Sequence, residues 1–362
     1  MEEVGIEAEK DSLFSLEASL GSLSWDRIKH AEANAKFYVP TERDEQLKNA
    51  IGRLLDGVVT RADRNIPLTR SNRKEGRALL VAGQSGAGKS RALSRLLTAH
   101  DALRPADDPI AARRPLISIK APETFTPRAF YIRLLHAMGY PLVNSPVTEL
   151  LIERVRKHAQ RLQVLVLHID DSSNSLVGHS PRARDRAVER VATTLRGLMV
   201  DAENPLSVIV SGLPSILDLV RVEEQFGRRA EIVHFNPLQA NDADRLRQIV
   251  AKRAETFGLA DKETSGDFAL RLLHAGNYQL GTVMEITSHA IGSALEKGHS
   301  GDRSAGLSAM DFADVYFRRT ACSSQLNVFT AADWSKIDTS QIVPRWIEER
   351  PIGNRKHKGG AR

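Results

Sequence analysis

Residues 83–90 read Gly83-Gln84-Ser85-Gly86-Ala87-Gly88-Lys89-Ser90, a match to G-x-x-x-x-G-K-[ST] at every fixed position. The run Ala78–Gly83 ahead of it is short and apolar, and an amphipathic helical period follows it, the strand, loop and helix order that the motif requires. Four fixed positions would coincide by chance in a chain of this length on the order of once in a hundred sequences. The physical reading is specific. The glycines let backbone N–H groups turn toward phosphate oxygens, and the helix opening near Gly88 offers its positive dipole end. Lys89 is expected to reach the β- and γ-phosphates of a nucleotide, and the Ser90 hydroxyl to ligate Mg²⁺. Gly83 through Ser90, with Arg91 behind them, are the candidate nucleotide-contacting residues.

Working outward, further short apolar runs appear at Pro115–Lys120, Gln163–Asp170, Leu206–Gly212 and Glu231–Phe235, with amphipathic stretches between them. Near-continuous apolar strands separated by helices predict an α/β fold, a parallel sheet covered by helices on both faces. After Pro237 the strand signals stop. Residues 241–258, 265–275, 279–297 and 308–318 read as helices broken at Gly258, Gly276 and the Gly-containing loop 298–306. The expected organisation is a mobile acidic arm and N-terminal helices over 1–76, an α/β nucleotide-binding domain over 77–236, a small helical lid domain over 237–318, and a basic, poorly ordered tail over 319–362.

The second acidic element is Val164-Leu165-Val166-Leu167-His168-Ile169-Asp170-Asp171. At a strand's carboxyl end Asp170 can hold the water shell of Mg²⁺, and Asp171 can polarise the attacking water; the alternative is a strand running into a solvated turn. His168 reads as a strand residue with a satisfied ring rather than as a ligand. Ser211, ending the next strand, either senses the γ-phosphate or caps a turn. In Gln225-Phe226-Gly227-Arg228-Arg229, Arg229, or else Arg228, can reach a neighbouring subunit's γ-phosphate if the protein oligomerises; the bland alternative is a solvated face.

Composition sets the outer limits. The chain has 362 residues, 41% hydrophobic and 27% charged, enough for a sizeable core, and a formal charge of +6 that permits contact with nucleic acid without requiring it. A single cysteine, Cys322, excludes an internal disulfide and a cysteine metal site and points to a reducing compartment. The acidic first twenty residues lack a leader pattern, and no run of eighteen apolar residues occurs, so a cytoplasmic protein is expected. Pro181-Arg182-Ala183-Arg184-Asp185-Arg186 reads as a solvated helix face before it reads as a DNA contact. Arg355, Lys356, Lys358 and Arg362 can add salt-sensitive DNA affinity, or the region of Trp346 can be a docking peptide.

Taken together these motifs resemble the AAA+ ATPases of DNA transposition, specifically the TniB/TnsC type, with phage Mu B protein and helicase loaders as more distant relatives. The resemblance runs from about Ala33 to about Leu295. Its further elements are Ile119-Lys120-Ala121-Pro122, Phe130-Tyr131, Leu134-Leu135 and Gly139-Tyr140-Pro141, the acids Asp170 and Asp171 with Asn174, the helix at Leu195–Leu198, and Gln225 to Arg229. It implies a P-loop AAA+ domain followed by a helical lid, ATP and Mg²⁺ as cofactors, ATP hydrolysis that drives disassembly, and a ring or filament of identical subunits on double-stranded target DNA; Asp171, one methylene shorter than the usual Glu, points to slow hydrolysis that suits a switch. It further implies a transposase, and possibly a target-selector protein, as partner, in the bacterial cytoplasm with nucleoid association. Lys120, Thr126 and Arg128 are the residues that it places against DNA phosphates. The chain departs from the pattern at Asp171, where the family usually has Glu, in Asn277–Thr282, which carries no Arg or Lys, and in a phosphate loop without the Asn of close relatives. A helicase-loader-like ATPase and a protein-remodelling or signalling ATPase without DNA binding are the alternatives.

Overall fold

The computed structural model describes residues 12–106, 113–141, 146–173, 176, 181–261, 266–299 and 306–340. Two helices, α1 (Ser12–Ser19) and α2 (Ser22–Lys36), precede α3 (Glu42–Val58). Then follow β1 (Ala78–Gly83), α4 (Lys89–Ala99), β2 (Leu116–Lys120), α5 (Pro127–Ala137), α6 (Thr148–Arg161), β3 (Val166–Asp170), α7 (Pro181–Met199), β4 (Ser207–Gly212), α8 (Asp218–Val222), α9 (Glu224–Gly227) and β5 (Ala230–Phe235). The remaining elements are α10 (Ala243–Thr256), β6 (Ala260–Asp261), α11 (Phe268–Ala275), α12 (Leu280–His299), β7 (Gly306–Leu307) and α13 (Ala309–Thr320). The chain divides into two units, Pro40–Pro237 and the described parts of Met1–Val39 with Leu238–Arg362.

The first unit carries a five-stranded, all-parallel sheet in the order β2-β3-β4-β1-β5. Every residue of β1 and β4 is buried, as expected for central parallel strands covered on both faces. Leu80, Leu167, Val208 and Val210 meet Phe130 and Leu134 of α5 and Leu195 of α7 in one continuous core. Burial of each such side chain contributes roughly 1.5–3 kcal/mol, which offsets the ordering of the loops that carry the site. The α/β fold with a parallel sheet is therefore borne out. The expected strand over Gln163–Asp170 starts only at Val166, because Gln163 turns the chain with a φ of 58°.

Entry into β1 is tight. Gly76 N–H donates to the Met199 carbonyl at 2.8 Å, and a Cβ added at Gly76 would lie 2.0 Å from the Leu206 carbonyl oxygen. Both neighbours are backbone, so they cannot yield by a rotamer change. Gly76→Ala is expected to destabilise the unit by about 2 kcal/mol, the range of overpacked positions, read as a lower urea midpoint at unchanged slope.

The second unit is helical around Phe268, Leu272, Ile286, Phe312 and Phe329, with the Phe268 and Phe312 rings 4.8 Å apart edge to face. Three expectations are corrected here. The strand signals do not stop at Pro237, because β6 and β7 form a two-residue parallel pair, Ala260 with Gly306 and Asp261 with Leu307. Residues 1–76 do not act as one segment. The helix α2 joins the helical unit, where Arg27 pairs with Glu296 at 2.8 Å and the His30 ring meets Phe257, while α3 packs on β1 and β5 of the other unit. The tail expected from 319 is built into the helical unit over its described part. Arg271 donates to the Val328 and Ala331 carbonyls at 2.8 Å, Trp334 Nε1–H donates to Asp267 at 2.8 Å, and Cys322, Val328 and Phe329 are buried. The acidic start before Ser12, Asn174, Trp346, Arg355, Lys356, Lys358 and Arg362 lie outside the described residues.

Candidate functional site

The carboxyl ends of β1, β3 and β4 converge, the place where ligands sit on open parallel sheets. From β1 the chain enters the loop Gln84–Gly88 and then α4, with Gly86 at φ 76° and Gly88 at φ 93°. Both values lie in the left-handed region that only glycine adopts at low cost, which explains the residue type at these two positions. Gln84, Ser85 and Gly86 are exposed, Ala87 is buried beneath them, and Arg91 is exposed on the first turn of α4. The Lys89 ammonium folds back over the loop and donates to the carbonyls of Gly83 at 2.8 Å and Gln84 at 3.0 Å. Burial pushes its pKa down, against the opposing pull of Asp170 and Asp171.

Asp170 closes β3 opposite this loop. Its Oδ1 accepts hydrogen bonds from Ser90 Oγ at 3.2 Å and from Ser211 Oγ at 2.5 Å. Burial pushes the carboxyl up, but those hydroxyls and the nearby His168 outweigh it and hold Asp170 below the usual carboxylate range. A hydroxyl and an ionised carboxylate side by side are hard oxygen donors. They fit Mg²⁺, which takes one or two protein oxygens and fills its shell with water and phosphate. No cluster of three or more His, Cys, Asp or Glu side chains suited to a metal occurs among the described residues.

Asp171 follows with a φ of 55° and its side chain exposed, so it turns away from the strand at the mouth of the loop. Ser172 and Ser173, which suit a solvated turn in the sequence, are buried. Ser172 N–H donates to the Ser211 carbonyl at 3.1 Å, and Ser173 Oγ accepts from Leu213 N–H at 2.5 Å. They tie the end of β3 to the end of β4, a role that no local pattern signals. Ser211 itself is 0% exposed and donates its hydroxyl to Asp170.

The arginine pair sits at the other end of the sheet. Ala230, the first residue of β5, pairs with Ala78, the first residue of β1, and Arg229 O accepts from Ala78 N–H at 2.9 Å. A six-residue strand spans about 20 Å, which separates Arg229 from the phosphate loop of its own chain. Arg229 donates to Glu75 at 2.7 Å and to the Gln225 carbonyl at 2.7 Å. Arg228 is 72% exposed and pairs with Glu224, one helical turn back.

The three residues considered for DNA lie at the end of β2 and at the start of α5. Lys120 ends β2, exposed, in register with Asp170. Thr126 is the N-cap of α5 and accepts from Ala129 N–H at 3.1 Å, and Arg128 donates to the Pro146 carbonyl. On α7, Arg184 pairs with Asp218 of α8, in keeping with a solvated, paired face. In the helical unit the segment after α11 turns through Asn277 at φ 49° and Tyr278 at φ 57°.

A parallel sheet in this order, with the glycine-lysine loop after β1 and an acid at the end of β3, defines a P-loop protein of the AAA+ fold. Residues 72–220 match the family model described as AAA domain. Among solved structures the chain is similar to Cdc6p from Pyrobaculum aerophilum, at 14% identity over 80% of this chain and 72% of that one, with a TM-score of 0.53. It is also similar to the ORC2 protein of Aeropyrum pernix in its ADPNP–ADP complexes, at 16% identity over 80% and 71% of the two chains, with a TM-score of 0.50. At these identities the likeness is one of fold. No curated protein matches the chain.

Proposed function

We propose that this chain is an ATP-dependent switch that assembles on duplex DNA, with transposition as its setting and a transposase as the partner it recruits or stimulates. The observation that carries the nucleotide half of this reading is the meeting of Ser90 and Asp170 at 3.2 Å beside the Lys89 loop. When bound, ATP supplies the transferable phosphoryl group and Mg²⁺ the charge that steadies it. On the protein side, the backbone of Gly83–Gly88 cradles the phosphates, and Lys89 exchanges its two carbonyl partners for them. Ser90 and Asp170 hold the metal. Asp171, one methylene shorter than Glu, orients the attacking water loosely, which suits slow hydrolysis and a long-lived bound state. The AAA+ fold neighbour whose structure holds ADPNP and ADP supports this choice of ligand.

The assembly half rests on the arginines. A six-residue strand, about 20 Å long, separates Arg229 and its neighbour Arg228 from their own loop, which supports a role for one of them toward a neighbouring subunit. Arg229 must first leave Glu75, whereas Arg228 has a single exposed partner. The DNA half rests on the family resemblance and on Lys120, with Thr126 and Arg128 beside it. No helix among the described residues is long and apolar enough to cross a membrane.

The test is retention of a random-sequence duplex by the full chain with no nucleotide, with ADP, or with a non-hydrolysable ATP analogue. Binding is expected only with the analogue, to weaken steeply with salt, and to vanish in Lys89→Ala. Binding indifferent to nucleotide would reduce the affinity to generic charge, and no binding would favour a protein-remodelling ATPase. Co-purification with a hexameric helicase in place of a transposase would assign the switch to helicase loading.

A further inference from the structure

His168 is placed unlike a core histidine that only fills space. It sits on the same face of β3 as Asp170, and 7% of it is exposed. Its Nε2 lies 3.2 Å from Ser211 Oγ on β4, and its Nδ1 lies 3.4 Å from Ser118 Oγ on β2. The direction of this chain follows from counting protons. A hydroxyl has one hydrogen. At 2.5 Å from an ionised carboxylate, the Ser211 hydrogen is committed to Asp170 Oδ1, so the Ser211 oxygen can only accept from the imidazole. Nε2 must therefore carry a proton, and Nδ1 faces the Ser118 hydroxyl. The ring donates to Ser211 and not to Asp170, and it acts on that carboxylate through Ser211.

We infer that His168 is a positioning residue: its Nε2–H holds the Ser211 hydroxyl in the one rotation that donates to Asp170, and so sets the carboxylate orientation in which Asp170 and Ser90 share a metal. The inference rests on the proposed nucleotide site and deepens it. It also changes the expected part played by Ser211, whose only proton is spent on Asp170. The hydrogen-bonded chain Ser118, His168, Ser211, Asp170, Ser90 crosses β2, β3 and β4 to α4, and it begins two residues before Lys120.

Two measurements test this, both on the full chain. The first is nitrogen-15 NMR of the histidine side chains without metal or nucleotide, with the His168 signal assigned by its loss in His168→Gln. An Nε2-protonated ring, perturbed in Ser211→Ala, is expected. An Nδ1-only proton, or a signal blind to Ser211→Ala, would overturn the assignment even if His168→Leu failed to fold.

The second is the Mg²⁺ concentration that half-saturates binding of a fluorescent ATP analogue. His168→Leu, which keeps the volume and loses both hydrogen bonds, is expected to raise it about fivefold, the scale of one hydrogen bond. His168→Gln, whose amide can still donate to Ser211, is expected to stay within about twofold. The double variant His168→Leu/Ser211→Ala is expected to match Ser211→Ala alone, because one residue acts through the other. Additive losses would show a merely structural role and overturn the inference. A wild-type chain with no Mg²⁺-dependent binding would instead overturn the nucleotide-site reading, and the inference with it.

Discussion

Replacing Lys89 by alanine is expected to weaken ATP binding on the order of 10²–10³-fold, the cost of removing one member of a desolvated charge pair. The ammonium already lies over the loop, 2.8 Å and 3.0 Å from the carbonyls of Gly83 and Gln84 where the loop begins, so it needs no rearrangement of the chain to meet a phosphate. Alanine leaves the left-handed glycines and the start of α4 in place, and the empty loop should fold as before. What is lost is the single side-chain charge that faces the phosphates from within the loop. Calorimetric titration with ATP, beside a urea midpoint for the unliganded variant, separates the two quantities. The affinity is expected to collapse while the midpoint moves little. An unchanged affinity would sink the assignment of residues 83–90 as the nucleotide site.

The second large effect is expected at Asp170. Asp170→Asn keeps the shape of the side chain but replaces a carboxylate that accepts two hydroxyl hydrogens with an amide that carries two of its own. Both hydroxyls donate to the one oxygen Oδ1, which the amide keeps as an acceptor, but the negative charge that holds the metal is gone. Hydrolysis at saturating ATP is expected to fall on the order of 10²–10³-fold, the scale of losing one preorganised electrostatic partner. ATP affinity should change much less, because Lys89 and the loop backbone are untouched. A variant that hydrolyses at the wild-type rate would remove Asp170 from the metal site. Set beside Lys89→Ala, the result divides binding from chemistry: the first variant loses affinity, the second loses turnover.

How much of this is legible from the order of residues differs from element to element. The loop at 83–90 is legible because its physics is local: two left-handed positions call for glycine, and the lysine sits one step into the helix whose first turn it crowns. The strand that ends in Asp170 and the buried strand that ends in Ser211-Gly212 are legible as apolar runs. The helix periods after Pro237 locate α10 to α13 to within a few residues. Each of these signals is carried by neighbours along the chain, where period and residue type suffice.

What could not be read concerns partners far apart in sequence. Sequence alone determined that a phosphate loop, an acidic strand end and a parallel α/β sheet are present, because backbone conformation and apolar periodicity are written into short stretches. Only the tertiary structure decided that β4 lies between β3 and β1, which brings Ser211 onto Asp170 from 41 residues away. The same is true of the assignment of α2 and residues 321–337 to the helical unit, and of the pairing of Arg229 with Glu75 across 154 residues. Strand order and long-range polar pairing leave no periodic trace, since any apolar strand can fill a central slot. Which one does is set by the packing of the whole core around it.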